Sequence, residues 1–427
     1  MISRIQKALA ESKIASYRIN CNKSESVELF FIKKEKDMLR STEVTEYSVT
    51  VYRDFEVSGV EMRGHAVTLI FPDMEDSEIS KAVNNAYYAA SFVKNKFYDL
   101  PKPKKSSFWE QKEYNLKEEA FKLADALYSA QTVENESVIN SAEIFAASKS
   151  VRIVNSEGID VEFKKYNFNG EFVTSAKTAV QDVEIHTSFS YNSPEYSRLT
   201  AKVKEALVTT KDRAEATAPP VAGKYDIVLS GVNVATVLDY YLERTQGGRI
   251  YAGYSSYKKG CNLQGENEKI TGERLNITLK ATQPYSAEGI AMSDCVLAKD
   301  GILETIHCGA RFAHYLDIEA TGDFSAFECS CGSENFENMK KNALYIAVFS
   351  DFQMDSFTGQ FGGEIRLAYL LEEKDGKVQV KKVTGGSVNG NIFEVQNEMV
   401  FSKERYKDES YDGPYAIKLK NVSIAGE

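Results

Sequence analysis

Histidine is scarce in this chain. His65, His186, His307 and His314 are the only four in 427 residues, and no two stand closer than seven apart. A helical HExxH zinc motif needs two imidazoles one turn apart beside a glutamate that activates water, so that chemistry is excluded. Cysteine is also thin: Cys21, Cys261, Cys295, Cys308, Cys329 and Cys331 are too few for a disulfide scaffold and read as thiols in a reducing compartment. No apolar run approaches the roughly 18 to 20 residues that cross a bilayer, and MISRIQKALAESKIASYRIN lacks the apolar centre of a signal peptide. The expectation is a cytoplasmic protein that does not enter a membrane. Excess positive charge is missing as well. A net charge of -10 repels a polyphosphate, and the runs KNK at 94–96 and KPKK at 102–105 read as solvated surface, so direct nucleic-acid binding is not expected. No GxSxG, Walker loop or GxGxxG stands at a strand-to-helix junction, which leaves acyl transfer on a nucleophile elbow, NTP use and dinucleotide binding without support.

What is present is ample apolar material, 43% of 427 residues, in a chain longer than one hydrophobic core usually serves. Pro219-Pro220 among small residues in AEATAPPVAGKYD marks the best boundary. Two domains are expected: 1–220, an N-terminal α/β domain with antiparallel sheet and helices, and 221–427, mainly antiparallel β. The fold class is α+β.

The alternation of Val, Tyr, Thr and Phe from Glu46 reads as a β-meander turning at Ser58-Gly59 and Arg63-Gly64. Ile79, Val83, Ala86, Ala90, Val93 and Phe97 then recur at helical spacing, which predicts a helix of about five turns capped by Asp76 or Ser77. Asn115 is placed to cap a second helix, VRIVNSEGIDVEFKKY reads as a hairpin turning at 155–158, and a charged helix runs from Ser193 to about Ala214. Past the boundary, YDIVL is a short buried strand and NVATVLDYYLERT a helix ending at Gly247-Gly248. Strand signals follow, with Asp-Gly turns at 299–301 and 374–376.

Two clusters invite a chemical reading. IHCGARFAHYLDIEATGDFSAFECSC, residues 306–331, gathers two of the histidines and three of the cysteines. Yet Cys329 and Cys331 have one residue between them and His307 and His314 stand seven apart, which fits no zinc spacing, and on a strand His307 and Cys308 point to opposite faces. A metal site, a reactive cysteine and structural residues in a packed loop all stay open, the last being the ordinary use of such residues. Asp239 and Glu243, four apart on one helix face, could bind a cation or form a solvated helix face.

The order of elements resembles the TldD/PmbA family, proteins described as modulators of DNA gyrase and as metallopeptidases, and especially its PmbA (TldE) branch. ESVELFFIKKEKDMLRSTEVTEYSVTVYRDFEVSGVE, VNSEGI at 154–159, YDIVLSGVNVATVLDYYLERTQGGRIYAGYSSYKKG and DSFTGQFGGEIRLAYLLEEKDGKVQVKKVTGGSVNGNIFE carry the likeness across nearly the whole chain. In the TldD branch the helix after the IVL-like strand holds zinc through HExxxH, completed by a cysteine of the closing domain. The corresponding residues are Asp239-Tyr240-Tyr241-Leu242-Glu243-Arg244, with both histidines and the motif's glutamate replaced. CGARFAHYLDIEATGDFSAFE resembles a family segment SARxxGxxSTG in which cysteine and histidine are not general ligands; Cys308 stands near its serine and Thr321-Gly322 matches its Thr-Gly.

The resemblance implies a subunit that lacks catalytic residues, metal and cofactor of its own and shapes the peptide chamber of a TldD-like metallopeptidase acting on peptides or unfolded proteins, as a homo- or heterodimer. A glycine-rich sheet edge in DSFTGQFGGEIRLAYLL suits such a role, since an extended peptide can add a strand there without sequence preference. The expected peptide-binding residues are Gly247, Gly248, Tyr254, Asp355, Thr358 and Gly359, against the ordinary reading that these glycines serve tight turns. Two alternatives remain: an active peptidase using an unfamiliar set such as His307, His314, Asp239 and Glu243, and an interaction module that binds gyrase.

Overall fold

The computed structural model describes residues 1–106, 112–132, 136–179, 181–266, 269–374 and 377–426. In the first half, helix α1 (Ile2–Glu11) buries Ile5, Ala8 and Leu9, three positions on one helical face. Strands β1 (Ser16–Ile32), β2 (Glu35–Val57) and β3 (Val60–Ile70), helices α2 (Asp76–Ala90) and α3 (Leu116–Ser129), strands β4 (Ser137–Asn155), β5 (Asp160–Lys177) and β6 (Asp182–Tyr191), and helix α4 (Tyr196–Glu215) follow. The strands form one antiparallel sheet in the order β3-β2-β1-β4-β5-β6. Its apolar face carries the helices: Leu29, Ile144, Phe168 and Phe172 meet Leu123 and Leu127 of α3 and Leu199 and Val203 of α4.

Several local features differ from the pattern expected of the sequence. Ser58-Gly59 turns the chain, both residues with positive φ, but Arg63-Gly64 lies inside β3. A Cβ on Gly64 would fall 1.8 Å from the Ala90 carbonyl oxygen, so this glycine admits the end of α2 against the strand rather than making a turn. Helix α2 has 15 residues, about four turns, and Val93 and Phe97 lie beyond it. Its cap is neither Asp76 nor Ser77. Glu75 and Glu78 form a reciprocal capping box, with Glu78 Oε2 accepting from the Glu75 amide at 2.8 Å. Asn115 does cap α3, accepting from the Glu118 amide at 3.2 Å, and the β4–β5 hairpin turns at Asn155–Gly158.

The second half opens with β7 (Gly223–Ser230), α5 (Val232–Arg244) and α6 (Gly247–Tyr251). It continues through β8 (Ile277–Leu279), β9 (Cys295–Lys299), β10 (Ile302–Leu303), α7 (Ala310–Leu316), β11 (Phe327–Cys329) and α8 (Phe336–Met339). Strands β12 (Leu344–Met354), β13 (Gln360–Lys374), β14 (Lys377–Val383) and β15 (Ser387–Asn391) come next, then α9 (Ile392–Val395), β16 (Val400–Phe401), β17 (Arg405–Lys407), β18 (Tyr411–Pro414) and β19 (Ala416–Ala425). One sheet runs β10-β9-β8-β11-β18-β17. The other runs β12-β7-β19-β15-β13-β14, and β13 also pairs with β12, so five strands close into a barrel-like ring with β14 attached to β13. Ile227, Leu229, Ile346, Ile365 and Leu419 from this ring share a core with Val237, Leu238 and Tyr241 of α5. The protein is α+β, with mainly antiparallel pairing in this half, as its patterning implies.

Gly247-Gly248 do not end the helix before them; they begin α6. Asp300-Gly301 makes a tight turn with φ of 49° and 80°, whereas the turn expected at Asp375-Gly376 lies outside the described residues. The halves are joined by polar ties: Arg311 to Asn95 Oδ1 at 3.0 Å, and Tyr369 and Lys382 to Asp212 at 2.6 and 2.5 Å. Among the described residues no helix is long and apolar enough to cross a membrane.

Candidate functional site

Helix α5 follows β7 directly. Its apolar positions Val234, Val237, Leu238 and Tyr241 are spent on the core, which leaves Val232, Asn233, Thr236, Asp239 and Glu243 along its outer flank. Three and four residues apart, the last three line up one above another. The Asp239 carboxyl reaches solvent but is walled by protein on its other sides. Among the described residues it makes no hydrogen bond or ion pair, and desolvation first, with the neighbouring Glu243 charge second, pushes its pKa up to about 6.

Glu243 is not a bare helix-surface charge. It accepts from Gln246 Nε2 at 3.1 Å and pairs with Arg249 of α6, both partners largely covered. The Arg249 guanidinium lies 4.4 Å from the centre of the Phe357 ring. Next to this pair, Arg244 donates to the carbonyl of Tyr254 and, at 3.4 Å, to that of Phe357, so it holds the loop after α6 against the β12–β13 turn. Tyr254 and Phe357 meet edge to face at 5.6 Å, both more than half exposed, and Phe393 adds a third exposed ring against Tyr240. The result is a carboxylate and a bound guanidinium rimmed by aromatic rings.

The expected site residues divide on inspection. A Cβ on Gly247 would sit 2.8 Å from Cys308 Cβ and Sγ, and one on Gly248 3.0 Å from the Phe312 ring, so these glycines admit α6 against α7 and the segment leading into it. Tyr254 is on the rim. Asp355, Thr358 and Gly359 build the turn that presents Phe357: Asp355 accepts from the Phe357 amide at 2.8 Å and the Thr358 hydroxyl at 2.6 Å, which holds its carboxyl below the usual range, and Gly359 has a φ of 75°. The sheet edge expected in DSFTGQFGGEIRLAYLL is not open. β13 is paired with β12 on one side and with β15 and then β14 on the other. A Cβ on Gly362 would lie 2.6 Å from the Val388 carbonyl oxygen. The free edge belongs instead to β12, which pairs with β7 only at Leu344–Ile346 and continues to Met354 with β13 as its one partner among the described residues. Arg249, Phe357 and this edge are not singled out in the sequence, where Arg244 stands out only as the residue in place of a motif histidine.

The histidines and cysteines of 306–331 do not converge. His307 lies outside any strand longer than a single bridge to Gln246, and is buried with Nε2 3.0 Å from the Leu242 carbonyl. That carbonyl can only accept, so Nε2 carries the proton and Nδ1 is a bare lone pair; burial pushes the pKa below the ordinary imidazole value. His314 faces Asp99 at 3.5 Å on α7. Burial pushes the Cys308 thiol up to about 12, and Cys329 is fully buried. Among the described residues no three of His, Cys, Asp or Glu gather as a metal-binding group. At α5, where a HExxxH helix would offer two imidazoles, Asp239 is a lone carboxylate and Arg244 a cation committed to two carbonyls. This set does not fit a zinc ion.

From Asp239 the outer flank of α5 leads, by Thr236 and Asn233, into a cleft of about 1160 Å³ between the two halves. Residues 347–352 of β12 line one part of it, 185–191 of β6 another, and Arg198, Lys202 and Glu205 of α4 close the back.

Comparison with known proteins bears on the fold. Residues 222–426 match the family model of the PmbA/TldA metallopeptidase C-terminal domain. The whole chain superposes on TldE from Thermococcus kodakarensis with a TM-score of 0.79 at 17% identity, covering 100% of both chains. A protein from Thermotoga maritima proposed to modulate a DNA gyrase gives 0.77 at 14% identity, again over 100% of both. One of the same description from Bacteroides thetaiotaomicron gives 0.74 at 16%, covering 100% of this chain and 99% of that one. At such identities the likeness to these structures is one of fold. No curated protein sequence matches the chain.

Proposed function

We propose, for a chain whose residues 222–426 belong to the PmbA/TldD family, that it is a peptide-holding subunit without hydrolytic chemistry of its own, acting beside a TldD-like metallopeptidase on extended or unfolded polypeptide. The observation that carries the reading is a helix end whose charged groups Glu243, Arg244 and Arg249 are already committed to protein partners, near a free strand edge. Glu243 is neutralised by Arg249 and Arg244 is spent on the carbonyls of Tyr254 and Phe357, while β12, which leads into the turn that Arg244 holds, keeps unpaired main-chain groups along the cleft between the halves. An extended segment gains main-chain hydrogen bonds from such an edge, and the rings of Tyr254, Phe357 and Phe393 supply apolar contact without demanding one side chain. Modulation of a gyrase, the role proposed for the Thermotoga protein, would on this reading act through a protein segment, because a net charge of -10 disfavours DNA itself.

The test is to mix the purified chain with a TldD-like protein of the same organism and follow cleavage of an unfolded polypeptide. Activity of the mixture above that of the TldD-like protein alone, with none from this chain, is expected. Equal activity with and without this chain, together with no binding of unfolded polypeptide, overturns the reading.

A further inference from the structure

The cleft that reaches Thr236 of α5 has a second unpaired edge. β6 is the last strand of the N-terminal sheet and pairs only with β5. Seven consecutive residues of it, 185–191, line the cleft, as do six consecutive residues of β12, 347–352. Side chains alternate across a strand, so a wall that includes every residue of β6 in turn takes in its main-chain edge, and Phe145 of β4 with Asn169 and Glu171 of β5 add the sheet face behind that edge. Asp182–Tyr191 and 347–352 contain no lysine and no proline, two of the residues that blunt an edge against strand addition, although β12 is irregular against β13 between Ile346 and Phe352. The volume of about 1160 Å³ lies above the range of ordinary small-molecule pockets, and 185–191 spans roughly 20 Å at the rise of a β-strand, room for about six or seven residues. Charge on the walls is mixed, with Glu171 and Asp351 against Arg198 and Lys202, so the cleft does not select a polyanion.

We propose that this cleft is a two-edged clamp: one extended segment of another polypeptide lies in it with the main chain of β6 on one flank and of β12 on the other. The inference rests on the peptide-holding reading above and adds the N-terminal sheet to the site. It also sets the ligand class, an unfolded chain of at least six residues rather than a di- or tripeptide, because a shorter ligand reaches too few groups of either edge. Bringing the two sheets into contact with one strand closes the halves on each other and guides the segment along α5 towards Asp239 and Glu243.

Hydrogen exchange read by mass spectrometry, with a reduced and alkylated polypeptide as the probe, tests it. Slower exchange in both 185–191 and 347–354 when the probe is added, and no slowing with a tripeptide, is the expected result. Slowing in 347–354 alone overturns the clamp but leaves the peptide reading standing; no slowing and no binding anywhere sinks both. Slowing of both edges that grows with protein concentration in the absence of probe identifies a second copy as the occupant and also overturns the proposal. As a further check, Thr187→Pro and Ser188→Pro remove adjacent amides of β6, of which one points to β5 and the other to the cleft. The better-folded of the two variants should bind the probe about two- to tenfold more weakly, the cost of one lost main-chain hydrogen bond; unchanged affinity in that variant counts against the clamp.

Discussion

Arg249 pairs with Glu243 across the break between α5 and α6, and lays the same guanidinium on the Phe357 ring at 4.4 Å, so a single side chain joins the helix pair to the β12–β13 turn. Both members of the ion pair are mostly shielded from water, which makes the loss of one partner more costly than for a surface pair. Arg249→Met should lower stability by about 1 to 3 kcal/mol, read as a shift in the urea midpoint at unchanged slope. A shift no larger than that of an exposed Lys7→Met control would show that the pair holds nothing.

Asp239 supplies a pH prediction. Its carboxyl is raised in the folded protein to about 6, above the value near 3.9 of an unfolded chain, so the fold binds this proton more tightly than the unfolded state does. Its contribution is therefore unfavourable above about pH 6 and fades as pH falls towards 4. Asp239→Asn should melt higher than the parent at pH 7.5 and lose that advantage by pH 4. The difference between the two melting curves isolates this group together with its repulsion of Glu243, because the carboxylates remote from it are common to both proteins. An advantage that is constant with pH, or that grows on acidification, is the failing result.

Gly247 is placed for close approach, not for ligand contact. Gly247→Ala puts a methyl 2.8 Å from the Cys308 side chain and 3.2 Å from Leu316 Cδ1, an overpacked contact worth about 1 to 3 kcal/mol of destabilisation. Thermal melting should register the loss, and binding of an unfolded polypeptide by the protein that remains folded should be unchanged. Weakened binding at full stability would restore Gly247 to the peptide site.

How far such features can be read ahead depends on the range of the interaction. The Asn115 cap, the turn at Asn155–Gly158 and the Asp300-Gly301 turn depend on groups a few residues apart, and all three are legible as spacing. Gly64 and Gly247 look like turn or loop glycines because what requires them, the Ala90 carbonyl and the Cys308 side chain, is 26 and 61 residues away. The mistaken edge has the same origin. A glycine-rich strand next to a turn reads as unpaired until β12, β14 and β15 are seen to occupy both of its sides. Asp239 and Glu243 were visible as a pair, but their inequality, one committed to Arg249 and one free, arises from α6 folding back after Thr245.

The two nearby cysteines should separate on mutation. Cys329 is fully buried in β11 with its Sγ 3.7 Å from the Ser330 carbonyl, whereas Cys331 is partly exposed. A buried hydroxyl without a short partner costs about 1 to 3 kcal/mol, so Cys329→Ser should lower the melting temperature by several degrees and Cys331→Ser by little. Rescue of a variant carrying both substitutions by added zinc would instead support a metal role for this segment.

Phe357 tests the rim itself. It is 54% exposed at the tip of a turn that Asp355 and Thr358 fix, so its ring is presented without being needed to fill the core. Removing it forfeits the contact with Arg249, worth about 0.5 to 1 kcal/mol at an exposed site, and the edge-to-face contact with Tyr254. Phe357→Ala should therefore fold with only a small loss of stability. A rigid aromatic side chain beside a strand edge commonly supplies more than 1 kcal/mol of binding, so affinity for an unfolded polypeptide, followed by fluorescence anisotropy, should fall about five- to thirtyfold. Tyr254→Ala should weaken binding in the same direction, and the pair should show less than additive loss because the two rings brace each other. Unchanged affinity in both variants would move the peptide away from the end of α5 and leave β12 and β6, further along the cleft, as the place where it is held.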